Sequence, residues 1–458
     1  MRNPDGDETA RPTDAAHGET AISMSNRRML ASCFLGTTIE WYDFLVYGFL
    51  APLALNRLFF PTLSPLAGTI AGFGVFAVGF AARPLGGVVF AHFGDRVGRK
   101  PIMVATLVLM GASTTAIGLI PTFDSIGIAA PLVLVCLRFL QGFSLGGESA
   151  AAPLLAMESA PGNTRGLFAA LVSSGAAAGT VLGALAAFAV GALPQEQLLS
   201  WGWRLPFLAS AFIFAVSLYV RMKVEESPAF QRAVARKPPE RIPLLAVLRR
   251  CKIPTLQVLL CAMAESSTFY FTAVFGLSYG IQTLGIGNGL LLSGVAIGNA
   301  VGIVSNPLFG ALSDRVGRRP LLGASYLLAA VYVLVLFFPM LRTGDPAVII
   351  LAMAIPGALL QPMSLAVSGS FNPERFDDAR LRLSGVSLGR QFGTILGGGI
   401  MPMVSASLLA WSSGSLTWVL AYFVLVCAVA LGAVISSRET AGAAWGRHER
   451  QPVDVSQA

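Results

Sequence analysis

Glu40 and Asp43 stand three residues apart inside "TTIEWYDFLVYGF" (residues 37–49), a stretch that is otherwise apolar. If it lies in a bilayer, each charge costs about 2.5–3.5 kcal/mol on insertion scales. Gly36, Glu40, Asp43 and Tyr47 are spaced four, three and four, which puts them on one face of a helix. Two carboxylates one turn apart repel, an arrangement suited to taking up and releasing a proton. The competing use is to neutralise a neighbouring arginine, and for both carboxylates it stays open.

Farther along, Arg138, Gln141, Leu145 and Glu148 are spaced three, four and three, again one face, flanked by Gly142, Gly146 and Gly147. A guanidinium in an apolar segment can grip a carboxylate through two parallel hydrogen bonds. The partner of Arg138 would be a substrate carboxylate or Asp43. Arg83, followed by Pro84, reads as an interior ion-pair partner or a gate residue. "CAMAESSTFYF" adds Glu265, Thr268 and Tyr270, and Arg390 and Gln391 stand side by side in "GRQFG". Arg390 would line the path or reach out to the polar boundary. Gln361 and Ser364 are weaker pocket candidates. In all, seven charges fall inside apolar runs: Glu40, Asp43, Arg83, Arg138, Glu148, Glu265 and Arg390.

The elements that must hold these residues are long apolar runs. Of 458 residues 54% are hydrophobic and 12% charged, about half the charge of a soluble domain, and mean hydropathy is +0.68. Twelve runs separate, at 29–51, 65–91, 101–120, 129–155, 166–192, 203–221, 254–281, 287–311, 320–340, 347–367, 384–409 and 415–436. Each is near the roughly 20 residues that cross a bilayer as a helix. The net charge of +8 is explained by basic connectors rather than by nucleic acid. Even-numbered connectors such as "GDRVGRKP" and "SDRVGRRP" are rich in Lys and Arg, whereas odd-numbered ones hold only Arg57, Arg204 and Arg342. The positive-inside rule then places the even connectors and both termini in the cytoplasm. Five unpaired cysteines and three histidines without an HExxH arrangement argue against a disulfide framework or a metal site. No phosphate-binding loop of the GxxxxGK[ST] kind occurs, and no cofactor is expected.

The chain divides in two. The stretch from Arg221 to Lys252 has nine basic and three acidic residues and contains "ARKPPERIP", a linker-like sequence. "FGDRVGRKP" (93–101) follows the second run and "LSDRVGRRP" (312–320) the eighth, equivalent places in each half, as in transporters built from related halves. Expected units are a disordered tail (1–28), a six-helix half (29–221), a central loop (222–253), a second six-helix half (254–437) and a tail (438–458). In the repeated loops Gly94, Gly98 and Gly317 would allow a tight turn. Asp95 and Asp314, with Arg96, Arg99, Arg315 and Arg318, would tie neighbouring helices together.

This duplicated D-R-x-G-R pattern resembles the loop signature of the major facilitator superfamily. The resemblance runs from about Arg28 to Ser437. It sharpens to the metabolite:proton symporter family through "EWYDFLVYG", "ARPLGGVVFAHFGDRVGRK", "RFLQGFSLGGES", "SWGWRLPFL", "ESPAF", "LSYGIQTLG" and "GVSLGRQFGTILGGG" in that order. Shikimate transporters are the members most resembled. The resemblance implies an all-α membrane protein of twelve helices in two halves. It also implies proton-coupled import of a small organic acid or zwitterion by alternating access, by a monomer in the bacterial cytoplasmic membrane. The proton-coupling candidates are Asp43, Glu40, Glu148 and Glu265. The substrate-binding candidates are Arg138, Tyr47, Gln141, Arg83, Tyr270, Arg390 and Gln391, and the two repeated loops would gate the cytoplasmic side. Efflux on the same fold is the alternative, although the fifth run lacks the Gly-Pro signature of drug:proton antiporters. A membrane enzyme or sensor is disfavoured by the absence of a catalytic constellation or an output domain.

Overall fold

The computed structural model describes residues 24–97, 99–146, 151–160, 164–223, 247 and 249–441. Twelve helices account for the apolar runs: α1 (Met24–Leu50), α2 (Pro65–Val97), α3 (Arg99–Leu119), α4 (Ala129–Leu145), α5 (Arg165–Gly191), α6 (Leu205–Lys223), α7 (Lys252–Gln282), α8 (Asn288–Val316), α9 (Arg318–Arg342), α10 (Pro346–Glu374), α11 (Ala379–Thr394, running on to Trp411) and α12 (Thr417–Ile435). Among the described residues eight helices are long and apolar enough to cross a membrane, and three shorter apolar ones lie at Val104–Leu119, Ala129–Leu145 and Gly202–Ala215. The twelfth is α1, which carries Glu40 and Asp43. Outward-facing Leu85, Val88, Phe212, Val304 and Leu308 are exposed, as suits a lipid-facing belt.

Several expected boundaries move. Helix α1 begins at Met24, inside the segment expected to be a disordered tail (1–28), because nothing between Ser25 and Arg28 breaks the helix. The run at 129–155 is two helices, α4 and Ala151–Glu158, with Gly146 at the end of the first. Gly94 does not make a turn. It lies within α2, as do Asp95 and Arg96, and Arg99 opens α3. Gly98 and Glu148 fall outside the described residues. So do the first 23 residues, those after Ala441 and most of the central loop. In the second repeat, Asp314 and Arg315 likewise belong to α8. Gly317 turns the chain there, with φ at +114°, a conformation that favours glycine.

Glycines set how closely the helices approach. A Cβ on Gly142 of α4 would lie 1.8 Å from the Gly79 carbonyl oxygen of α2, and one on Gly146 would lie 1.9 Å from that of Arg83. The two backbones are therefore in contact, which brings the side chains of Arg83 and Arg138 into one region. Between the halves, Gly166 of α5 and Gly310 of α8 meet in the same way: a Cβ on either would come within 2.6 Å of the other's carbonyl oxygen. Such small-residue crossings are how membrane helices gain packing when lipid offers no hydrophobic drive.

At the end of the bundle that carries the second repeated loop, Asp314 reaches across to the other half. Its carboxylate accepts from the Gly166 and Leu167 amides at 2.9 and 3.0 Å, capping the positive end of α5. Arg318 is buried and pairs with Asp314 at 2.7 Å and with Glu374 at 3.4 Å, while Arg315 is exposed. Glu439, just beyond α12, caps α9. Its carboxylate accepts from the amides of Arg318, Arg319, Thr440 and Ala441 at 2.9–3.0 Å. At the opposite end, Thr69 and Gln282 join the halves at 2.8 Å, and Asn288 donates to the Gly191 carbonyl at 3.2 Å.

Two outcomes follow from this packing. Gly142→Ala forces α2 and α4 apart, an overpacking defect worth about 1–3 kcal/mol, and should lower the thermal unfolding temperature of the purified protein. Gly432→Ala, at a site with nothing within 4 Å, should leave it unchanged. Burial pushes the Glu439 carboxyl up, but the four amides hold it below the usual 4.5. A depressed value gives stability that is complete above the unfolded-state pKa and is lost as pH falls through the folded one. The melting-temperature gap between wild type and Glu439→Gln should therefore be widest above about pH 5 and close as the pH is taken below 4.5. A gap independent of pH would remove the charge from the cap.

Candidate functional site

Arg138 is the centre of the site. Its side chain is fully buried (0% exposed) between α1, α2 and α4. One terminal nitrogen donates to Gln141 Oε1. The guanidinium carbon lies 4.5 Å from the ring centroid of Phe44, 4.4 Å from that of Tyr47 and 5.2 Å from that of Phe76. Nε and Nη2 have no hydrogen-bond partner. The room for Nη2 comes from Gly79, where a Cβ would sit 3.3 Å away. Moving such an ion out of water costs several kcal/mol. Each desolvated ring contact returns about 2 kcal/mol or more, but none supplies a counter-charge.

The rest of the N-terminal cluster is organised around that cation. Gln141 Nε2 donates to Thr114 Oγ1 at 2.8 Å and to the Asp43 backbone carbonyl at 3.0 Å, which fixes the amide that receives Arg138. Tyr47 is anchored by its hydroxyl to the Gly72 carbonyl at 3.1 Å. Arg83 stacks over Phe44 at 4.3 Å and Phe80 at 4.5 Å. Its Nε has no partner, and Glu40 and Arg390 lie within electrostatic reach of it.

The carboxylate stripe of α1 does not act as one unit. Asp43 does not meet Arg138. Its side chain is buried beside Ser210 of α6, and Oδ1 has no hydrogen-bond partner. Glu40 is half-buried and faces the side where Arg83 and Tyr270 lie. Tyr47 lies under Arg138. Successive positions on this face differ by up to 60° around the axis, enough to reach different neighbours.

In the C-terminal half, Glu265 of α7 and Arg390 of α11 form a bidentate pair at 3.0 and 3.4 Å. Ser368 of α10 is bonded to both, donating to Glu265 and receiving from Arg390 at 3.3 Å. Arg390 thus turns inward instead of reaching for the boundary. Gln391 points elsewhere: its amide donates to the Gly146 carbonyl at 3.3 Å and to Ser387 at 3.0 Å, a contact between the halves. Tyr270 packs edge-on against Phe76 and Phe80 at 5.6 and 5.3 Å, and Trp41 meets Phe269 at 5.5 Å. Aromatic rings from both halves therefore close over the two arginines. The residues that sequence reasoning missed are Phe44, Phe76, Phe80, Thr114, Ser210 and Ser368. Only Phe44, inside the "EWYDFLVYG" stretch, lay in a segment already singled out.

The chemistry available is anion capture by guanidinium N–H groups, next to carboxyls that can exchange protons. Among the described residues no group of three His, Cys, Asp or Glu side chains could hold a metal ion.

Comparison with known proteins agrees with the architecture. The chain is 36% identical over 430 residues to the shikimate transporter of Escherichia coli K12, covering 92% of this chain and 97% of that one. It is 32% identical to the proline/betaine transporter of the same organism, over 91% and 84% of the two chains. Among solved structures, the xylose transporter of E. coli in a partially occluded inward-open conformation superposes with a TM-score of 0.68 at 17% identity, covering 92% and 99%. That likeness speaks to the fold. Residues 33–375 match the Major Facilitator Superfamily. Twelve membrane helices in two related halves, a central cluster of charge and these matches lead to one conclusion: the chain is a transporter and belongs to the major facilitator superfamily.

Proposed function

We propose that this protein is a proton-coupled symporter that imports a small organic acid or zwitterion across the bacterial cytoplasmic membrane by alternating access. The observation that carries the reading is Arg138: a buried guanidinium that meets no carboxylate among the described residues and has two N–H groups unpartnered. A substrate carboxylate is the natural acceptor for them. Related transporters named for shikimate and for proline and betaine span the substrate classes considered, and one relative is an inner-membrane metabolite transport protein. The structural neighbours include a D-xylose–proton symporter, which supports coupling to protons.

Geometry also separates the candidate proton carriers. Glu265 is tied to Arg390 by two bonds and to Ser368, so a change of its charge breaks an ion pair. Asp43 has no ion-pair partner among the described residues and can change charge without breaking one. Asp43 is therefore assigned the proton. Glu40, Tyr47, Gln141, Arg83, Tyr270 and Arg390 shape the site, and Gln391 ties the halves beside it. The basic end, with Asp314, Arg315, Gly317 and Arg318, faces the cytoplasm with both termini, on the charge asymmetry of the connectors. It gates that side together with the first repeated loop (Gly94, Asp95, Arg96, Gly98, Arg99).

The test is uptake into right-side-out vesicles with an imposed proton gradient. Asp43→Asn should abolish accumulation against the gradient while leaving counterflow exchange. Arg138→Ala should raise KM on the order of 10- to 100-fold, from a charge-assisted hydrogen bond of about 1.5–3 kcal/mol. Full accumulation by Asp43→Asn removes the carrier assignment. Accumulation only in everted vesicles turns the direction to efflux.

A further inference from the structure

We infer that Asn306 and Asn372 hold the gate at the Asp314 end close to the point of opening, because their side chains bury hydrogen-bonding atoms that gain partners only when the two halves part. The inference rests on the alternating-access reading and adds to it the residues that oppose closure at this end.

Both asparagines belong to the second half and face the first. On α8, a Cβ on Gly302 would lie 3.5 Å from the Ala177 Cβ of α5, and one on Gly310 would lie 2.5 Å from the Ala170 Cβ. Asn306 stands four residues from each glycine, on the same face of the helix. On α10, a Cβ on Gly369 would lie 3.2 Å from the Ala169 Cβ of α5, and Asn372 stands three residues farther on, again on that face. The two side chains are 1% and 0% exposed. The Asn306 amide donates back to the Gly302 carbonyl at 2.8 Å, and its Oδ1 has no partner. In Asn372 neither Nδ2 nor Oδ1 has one. The facing helix offers them no donor, since the Ser173 and Ser174 hydroxyls donate to the carbonyls of Ala169 and Ala170 in their own helix.

A buried donor or acceptor without a partner costs its full desolvation. Here that cost lasts only while α5 lies against α8 and α10, because parting the halves lets solvent reach both amides. It therefore works against the two bonds by which the Asp314 carboxylate holds α5. At the opposite end the groups that cross between the halves are paired: Thr69 donates to Gln282, and Asn288 donates to the Gly191 carbonyl. Asn56 and Asn299 also carry an oxygen without a partner, but each packs on a glycine of its own half, Gly72 and Gly357. Motion of one half against the other leaves those two contacts as they are. Asn306 and Asn372 are the asparagines whose surroundings change.

The experiment is hydrogen–deuterium exchange on the purified full-length protein in detergent. It is read in peptides from residues 165–175 and 302–313, at the seam, and from 65–72 and 279–290, at the opposite end. Asn306→Leu and Asn372→Leu keep the branched shape of the side chain and remove its polar atoms. Each should slow exchange at the seam by about fivefold or more, with no slowing at the opposite end. Leu is larger than Asn, so where a Leu variant does not fold, Asn306→Val or Asn372→Val decides. Seam exchange that is unchanged or faster in the variants overturns the inference. So does equal slowing at both ends, which marks general stabilisation instead of a gate. Neither substrate nor a proton gradient enters this measurement. Failure of gradient-driven uptake therefore bears on the transport assignment alone, and unchanged seam exchange with intact uptake bears on the two asparagines alone.

Discussion

The burial of the Arg138 guanidinium is the constraint around which the N-terminal half is built. A permanent charge at this depth is tolerated only where its surroundings share the cost, and each neighbour does part of that. Gly79 yields the space, and Gly142 lets α4 come close enough to use it. Gln141 accepts one N–H and is itself held by Thr114 and the Asp43 carbonyl. Tyr47 and Phe44 supply ring faces. None of these supplies a negative charge, so the stabilisation is partial by construction. That partial stabilisation gives a passing anion something to gain.

The C-terminal half treats its charges differently. Arg390 and Glu265 neutralise one another with two hydrogen bonds, and Ser368 bonds to both. Breaking a buried pair by removing one partner costs about 3–5 kcal/mol, which makes it a fixed wall. One half thus offers donors and the other closes its own account. Aromatic contacts from Phe76 and Phe80 to Tyr270 join the two across the middle. Tyr270 opens a wide helical turn at Tyr270–Phe275, and Gly398, in a second such turn at Ile395–Gly399, packs against it. Irregular turns of this kind cluster at functional sites.

Much of this was legible in the sequence, and the rest was hidden for identifiable reasons. The twelve runs stood out because most of the charge is confined to the connectors and tails around them, and the duplicated loops because their residues repeat at half-chain period. Arg138 and Glu265 drew notice because charge inside an apolar run is rare. Phe44 was invisible because a phenylalanine in an apolar helix looks like ordinary packing; only its neighbours give it a role. Asp43 and Tyr47 share one stripe of α1, but a stripe does not say which helix each position meets. Arg390 and Gln391 are adjacent in sequence and point to different partners, since neighbours on a helix are 100° apart. Gly94 suggested a turn by composition, yet α2 continues through it. The cap on α9 by Glu439 depends on where α12 ends in space, which no local pattern encodes.

The ties at the Asp314 end also bear on how the halves could move on an alternating-access reading. The strong contacts lie within one half: Arg318 with Asp314 and Glu374, and Glu439 with the start of α9. Between the halves, the Asp314 carboxylate rests on two amides of α5, beside the Arg382–Glu158 ion pair at 3.6 Å and the Gln391 bond to the Gly146 carbonyl. Amide bonds to a charged acceptor are worth about 1.5–3 kcal/mol each, and a helix-terminus charge adds about 0.3–1 kcal/mol. Together these are of the order of the roughly 5.5 kcal/mol needed to invert a two-state population from 1:99 to 99:1. A substrate that binds one state more tightly by a similar amount could release the latch. The triad of Asp314, Arg318 and Glu374 would travel with its own half as a rigid piece.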